Sequence, residues 1–404
     1  PALPAWLPEA VRAEAASLSA RSGYHFADMD PAAVQALYGK TLPLSASKLD
    51  CFAGCRYAFF LQYGLRALPW KQAEFDAPLF GSFVHDVLEH VVREAQAQGG
   101  FAALTDAQVT ALTERCMDAC MQTYLPQGDA RASREGYLST RNRQEAAAVV
   151  LDVARELRLS QFTPAAEELT FAPGGQMPPI VYHASRGDGL LTGKIDRVDV
   201  SDNFIRIIDY KTGSVDDSVG SYYTGRKIQL EMYMAAAKGD KIPAGVFYFP
   251  ASLSFSDESD KPFRMRGFFV GDQDALTAGD PVMTAGEKGT ESEFFTSKNG
   301  ETRNTHSMDR LTFLSFIEYS KFVAEGARKE LKAGYIGVSP TKFACAYCPY
   351  GGACGFHPDK SVRRAEELTR GKRKNRRRKN RRQSASRRAE NRRAAGQKNK
   401  KRQG

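Results

Sequence analysis

The 404-residue chain has no run of about eighteen consecutive apolar residues, so no membrane-spanning helix is expected. It shows no secretory signal, which points to the cytoplasm. It also has no Gly-x-x-x-x-Gly-Lys-Ser/Thr phosphate loop, so no ATPase activity of that kind is expected. Cysteine is sparse and odd in number, at seven. In a chain without an export signal, that favours metal or cluster ligation over a disulfide framework. The first residue is Pro1 rather than Met, which suggests an excerpt of a longer polypeptide. The length allows one large folded core or two smaller ones.

The net charge of +10 is misleading as an average. Residues 363–404 carry 20 Lys and Arg against 3 Glu, a net of +17, which leaves 37 basic and 44 acidic residues, a net of −7, for the rest. The basicity therefore belongs to a tail, and the body is mildly acidic. From about residue 361 the composition of Arg, Lys, Asn and Ser predicts a disordered segment that holds polyanions through counterion release. Such a tail serves either to tether DNA or only to keep the chain soluble.

The informative stretch is 191–213. Two Val- and Ile-rich runs, Leu191–Val200 and Phe204–Gly213, flank Ser201-Asp202-Asn203, which predicts a β-hairpin. Alternation puts Ile205, Ile207, Asp209 and Lys211 on one face. An Asp and a Lys at the end of an apolar face are costly to bury without a task or a partner. Hairpin pairing brings Asp196 near Asp209, so two carboxylates and an ammonium converge. Carboxylates hold a hard divalent cation. The Lys can orient or help deprotonate a water, or stabilise charge on a phosphoryl oxygen. A charged hairpin with a single ion pair would also match the bare Asp…Asp-x-Lys pattern; the longer string with its apolar context is the specific part.

Elsewhere the chain reads as mixed helix and strand. Residues 1–44 suggest helical pieces without assignable chemistry, His25 included. Ser45 or Ser47 can cap a helix that leads into the aromatic-rich run after Cys55. Residues 79–97 form an amphipathic helix, with Phe83, Val84, Val87, Leu88 and Val91 on its apolar side. Residues 106–160 look helical, and Cys116 and Cys120, four apart, read as core. Glu167 and Glu168 precede a short strand near 180–183, in which His183 reads as no ligand. Residues 226–238 predict a helix with Gln229 and Tyr233 on one face. Ala244–Pro250 and Arg264–Val270 extend the sheet. Residues 279–306 suggest a flexible loop near a nucleic-acid path, and 308–333 suggest a long helix. The string Cys345-x2-Cys348-x5-Cys354 supplies three thiolates in a compact loop, and Cys55 can supply a fourth. Four thiolates suit zinc as well as an iron–sulfur cluster.

Gly-Lys-Ile-Asp-Arg-Val-Asp followed by Ile-Asp-Tyr-Lys-Thr-Gly resembles the RecB-like branch of the PD-(D/E)XK nucleases. Five further segments match in family order: the Cys55 segment, Gly81-x-x-x-His85-x-x-Leu-Glu89, Glu168-x-x-Phe171, Gln229-x-x-x-Tyr233 and the C-terminal cysteines. Together, residues about 40–360 resemble the nuclease region of the AddB subunits of helicase–nucleases. The resemblance implies an α/β fold with a restriction-endonuclease-like core: a mixed central sheet flanked by helices, with helical insertions and a cysteine-ligated staple. It implies metal ligation by His85, Glu168, Asp196 and Asp209 with the Tyr210 carbonyl, and catalytic roles for Asp196, Asp209, Lys211, Gln229 and Tyr233. The expected cofactors are one or two Mg²⁺ ions and a [4Fe-4S] cluster on Cys55, Cys345, Cys348 and Cys354, with Cys51 outside the matched pattern and structural. Residues 1–44 would lead from a helicase-like portion not present in this sequence, 45–360 would be the nuclease domain, and the tail has no counterpart in the pattern. The implied function is hydrolysis of DNA by a single-strand exonuclease of an AddAB-type complex in double-strand break repair, with an AddA-type subunit as partner in a heterodimer. The alternative is an inactive nuclease fold that binds single-stranded DNA in a larger complex. CRISPR-associated RecB-like nucleases use similar cysteines but are much shorter.

Overall fold

The structure, a computed structural model, describes residues 8–9, 28–68, 77–124, 134–182, 189–252, 263–283, 292, 294, 306–341 and 344–356. His25, His183, most of the loop expected over 279–306 and the basic tail lie outside these residues.

Three helical segments open the described chain: α1 (Pro31–Tyr38), α2 (Ala46–Gly54) and α3 (Arg56–Phe59), the last running into a π-helical turn at Phe60–Gly64. Of the two candidate caps for α2 it is Ser45 that acts, its Oγ accepting from Lys48 N at 3.3 Å. Helices α4 (Ala77–Ala97), α5 (Asp106–Tyr124) and α6 (Arg134–Leu159) follow, the last two dividing what reads in the sequence as one helical stretch. Next come β1 (Thr163–Phe171), the small strands β2 (Ile180–Tyr182) and β3 (Gly189–Leu191), and the hairpin β4 (Gly193–Val200) and β5 (Phe204–Lys211). Beyond it lie α7 (Val219–Tyr223), α8 (Gln229–Ala237), β6 (Ile242–Pro250), β7 (Arg266–Val270) and α9 (Gln273–Gly279). The described chain closes with β8 (Ser307–Met308), α10 (Arg310–Lys332) and the single turn α11 (Gly351–Cys354). Helix α8 starts three residues later than its apolar pattern suggests, because Lys227 takes a left-handed φ of 54° that a helix interior does not accommodate.

Six strands form one mixed sheet in the order β1-β4-β5-β6-β7-β8. The pairs β1/β4, β4/β5 and β6/β7 are antiparallel, whereas β5/β6 and β7/β8 are parallel. The parallel β5/β6 step requires a crossover, which α7 and α8 supply. Every residue of β5 from Phe204 to Tyr210 is buried, as expected of a central strand covered on both faces. Its alternation divides the core in two. Ile205 and Ile207 pack with Val246 of β6, Met232 of α8 and Phe313 and Ile317 of α10. Ile208 and Tyr210 pack on the other face with Val84 and Val87 of α4, Cys116 and Cys120 of α5 and Val153 of α6. The architecture is therefore three layers, helix–sheet–helix, and Cys116 and Cys120 are core residues. None of the described helices is long and apolar enough to cross a membrane.

Candidate active site

Strand register builds the site. On β4/β5, Arg197 pairs with Ile208 and Val198 with Ile207, so one step further Asp196 stands opposite Asp209. On β1/β4, Glu167 pairs with Arg197 and Leu169 with Ile195, so Glu168 stands opposite Asp196. Three acidic residues thus occupy one row across three neighbouring strands. Strand β1 was not apparent in the sequence, yet it is the element that brings Glu168 into the row.

His85 reaches this row from α4. Its Nδ1 lies 3.4 Å from Asp196 Oδ2, and its Nε2 lies 2.9 Å from the Tyr210 carbonyl oxygen. The same Asp196 Oδ2 accepts from Tyr210 N at 2.8 Å. One ligand atom from each of His85, Glu168 and Asp196 falls within 4.8 Å of the others. Two carboxylates and an imidazole, with a backbone carbonyl beside them, are donors that a divalent cation accepts. The donor set therefore fits the metal that the resemblance implies. Asp209 is not in that group of three: its Oδ1 accepts from Gln229 Nε2 at 2.7 Å and its Oδ2 pairs with the Lys211 ammonium. The expected four-residue ligand set thus divides into a cluster of three and a neighbouring Asp–Lys–Gln constellation. Tyr233, the other half of the Gln229 motif, accepts from Gln229 Nε2 at 3.0 Å, and Gln229 Oε1 accepts from Lys211 Nζ at 3.3 Å.

Electrostatics follow from the crowding. Asp209 is 1% exposed. Burial first, then the charge of Asp196, pushes its pKa up to about 7, against the opposing pull of Lys211 and His85. For His85, burial disfavours the charged ring, but the Asp196 contact and the charge of Asp209 outweigh it and raise the pKa above the ordinary value. Glu168 sits at φ 51°, in the left-handed region that a non-glycine residue adopts at a cost. Its carboxylate also pairs with Lys194.

Three contributors escaped the sequence reading. Lys194 faces Glu168, and the Tyr248 ring lies 5.6 Å from Lys211 Nζ. Arg197 donates to the Tyr210 hydroxyl at 2.8 Å, bracing the residue whose backbone holds His85 and Asp196. The available signal was an arginine at alternate positions of apolar strands, Arg197 and Arg206, which the core tolerates only when paired.

Five of the seven cysteines lie toward the two ends of the described chain. Thr341 N donates to the Gly54 carbonyl at 2.8 Å, joining the C-terminal segment to the end of α2. Cys55, Cys348 and Cys354 pack around Tyr57, Leu61 and Tyr350. The Cys345 thiol is raised in pKa by burial and by the neighbouring Cys348, Cys55 and Cys354. Four free thiols at one place suit a thiophilic centre. Cys51, whose Sγ lies 3.6 Å from Gln62 Oε1, stands one helical turn before Cys55.

Residues 43–355 match the PD-(D/E)XK nuclease superfamily. Among curated relatives, an ATP-dependent helicase/deoxyribonuclease subunit from Caldanaerobacter subterraneus subsp. tengcongensis is 30% identical over 364 residues, covering 81% of this chain and 30% of the relative. The subunit of the same name from Clostridium kluyveri is 28% identical over 370 residues, covering 82% of this chain and 31% of its own length. The one from Alkaliphilus oremlandii is 27% identical over 352 residues, with 80% and 31% covered. The chain spans about a third of the length of these relatives.

Proposed function

We propose a function from one premise: this chain belongs to the PD-(D/E)XK nuclease superfamily. Its activity is metal-dependent hydrolysis of DNA phosphodiesters, directed at single-stranded ends and exonucleolytic in mode. Its setting is a helicase–nuclease of the AddAB type that processes double-strand breaks, in which an AddA-type subunit is the partner. The observation that carries this reading is the row Glu168–Asp196–Asp209 across β1, β4 and β5, with Lys211 two residues beyond and His85 reaching in from α4.

His85, Glu168 and Asp196 would hold a Mg²⁺ ion, with Asp209 and the Tyr210 carbonyl beside them. Such an ion, when bound, polarises the scissile phosphate and lowers the pKa of a water. The chain's own residues set the geometry. Asp209 and the Gln229 side-chain carbonyl oxygen hold the Lys211 ammonium, so its charge is fixed before substrate arrives. There it orients the attacking water or offsets charge developing on a phosphoryl oxygen, and preorganised charge is the largest single contribution in most such sites. Gln229 keeps Asp209 in place while Tyr233 fixes the Gln229 amide. The four clustered cysteines would hold a [4Fe-4S] cluster in a structural role.

Purified protein with 5′- and 3′-labelled single strands and Mg²⁺ should release short products, and Asp209→Asn and Lys211→Ala should each abolish release with the circular dichroism spectrum unchanged. Undiminished cleavage in both variants would remove this constellation from the reaction. Tight binding of single strands with no turnover in the wild-type protein would instead favour an inactive, DNA-gripping subunit.

A further inference from the structure

Next to Lys211 lies a cavity of about 380 Å³, a volume within the roughly 300–1,000 Å³ span of small-molecule sites. Lys211, Gln229 and Tyr248 form its wall on the active-site side. The opposite wall comes from the cysteine-bearing segment: Asp50 from α2, and Gln62 and Tyr63 from the π-helical turn. The two walls differ in chemistry. The first carries the ammonium that suits a phosphate. The second carries the Asp50 carboxylate, whose charge Lys227, itself a lining residue, and Arg226 offset.

What the second wall offers is a seat for a base. Tyr63 is half-buried; the Phe59 ring lies against it at a 43° tilt with centroids 5.2 Å apart, and Lys48 Nζ stands 5.9 Å from its centroid, so the ring is held in place. Asp50 is fixed by Lys227 Nζ at 3.2 Å and Arg226 Nε at 3.4 Å. A carboxylate has about four acceptor positions, so these two long contacts leave capacity for a further donor. Gln62 adds an amide. A stacking face beside an acceptor and an amide is how proteins take an unstacked base by its edge. A carboxylate accepts from the exocyclic amine of cytosine and finds only an acceptor at the matching position of thymine.

We infer that this cavity is a base-reading subsite: it takes one unstacked nucleobase of single-stranded DNA onto Tyr63, with the adjoining phosphate at Lys211, and Asp50 makes it favour cytosine over thymine. The phosphate end of this assignment rests on the nuclease reading above. The base end can be measured without turnover. A duplex keeps its bases stacked, so the subsite itself selects single strands.

The test uses the full chain in EDTA, where no cleavage occurs, with single-stranded oligonucleotides carrying 2-aminopurine at successive positions from either end. One position should lose fluorescence on binding, and Tyr63→Ala should restore it while Tyr63→Phe does not. An abasic residue at that position should weaken binding roughly 5- to 150-fold. That arm changes only the DNA, so it holds even if a protein variant misfolds. Cytosine there should bind at least about fivefold tighter than thymine, and Asp50→Asn should bring the ratio close to one. Equal binding of intact and abasic strands at every position overturns the subsite, whatever the cleavage assay gives. A clear abasic effect in a protein that never cleaves with Mg²⁺ supports the subsite and sinks only the nuclease reading.

Discussion

Gln229 touches no proposed metal ligand of the clustered three, yet it links Lys211, Asp209 and Tyr233 through one amide. Removing that amide leaves the charges present but less well placed. Gln229→Ala should therefore lower kcat roughly 10- to 100-fold, the range seen when groups supporting a metal site are deleted, with KM for single-stranded DNA within about twofold. Steady-state cleavage rates check it; a loss confined to KM would assign Gln229 to substrate binding. A second residue of the same helix makes a pH prediction. Glu231 is 1% exposed, and its Oε2 has no hydrogen-bond partner among the described residues. Burial pushes its pKa from 4.5 up to about 8. Between those values the unfolded chain has lost the proton that the folded protein keeps. The folded state thus binds more protons, and stability falls as pH rises through this window. Glu231→Gln should reduce that slope, leaving the share of Asp209, and be more stable than the wild type at pH 8 by a few kcal/mol, with the two nearly equal near pH 4. Urea unfolding across that range measures it, and a wild-type curve flat with pH would refute it.

At the scale of elements, α6 is fastened to the sheet by charge as well as by apolar contact. Glu156 of α6 meets Arg206 at 2.6 Å and Arg197 at 3.3 Å, while Asp199 meets the same two arginines at 2.8 and 2.9 Å. The four side chains are all but fully buried and sum to zero charge. Deleting one member of such a set strands a buried charge at a cost of about 3–5 kcal/mol. Glu156→Ala should lose that much in urea unfolding, and a loss under about 1 kcal/mol would mean that α6 is held by its apolar face alone. Why this network was not legible in the sequence, when the hairpin was, has a physical reason. The hairpin announces itself locally, through two β-branched runs and a polar turn, and its register follows from that turn. A buried salt bridge depends on which distant helix covers the arginine. Strand β1 was hidden for a related reason: Pro164, Ala165, Ala166, Glu167 and Glu168 are poor strand formers, and only pairing with β4 makes them one. The placement of His85 needed the motif string, because an amphipathic pattern indicates which face of α4 is buried but not what lies opposite.

The first and last segments of the described chain meet. Beyond the Thr341–Gly54 contact, Arg56 pairs with Glu330 at 2.9 Å and Met29 N donates to the Gly334 carbonyl at 2.9 Å. Cys55, Cys345, Cys348 and Cys354 gather where these segments meet, Cys345 standing 290 positions after Cys55. A crosslink across so long a loop removes on the order of 5 kcal/mol of unfolded-state entropy by the polymer relation. Cys345→Ser should accordingly bleach the visible absorption expected of an iron–sulfur protein and open both ends to protease, and a colourless wild-type protein that contains zinc would reject the cluster. The tail, outside the described residues, poses a separate question of charge. It holds 20 Lys and Arg, while the rest of the chain has a net charge of −7. An acidic body gains little from phosphates at a distance, so most of the counterion release on binding should come from the tail. Each neutralised phosphate of a single strand contributes about −0.7 to the slope of log K against log salt. Truncation after residue 360 should therefore flatten that slope by several units and weaken binding at low salt. Cleavage at saturating DNA should keep its rate, because no residue of the row or of the Lys211 constellation is removed. An unchanged slope would leave the tail a solubility element and place the DNA path entirely on the folded body.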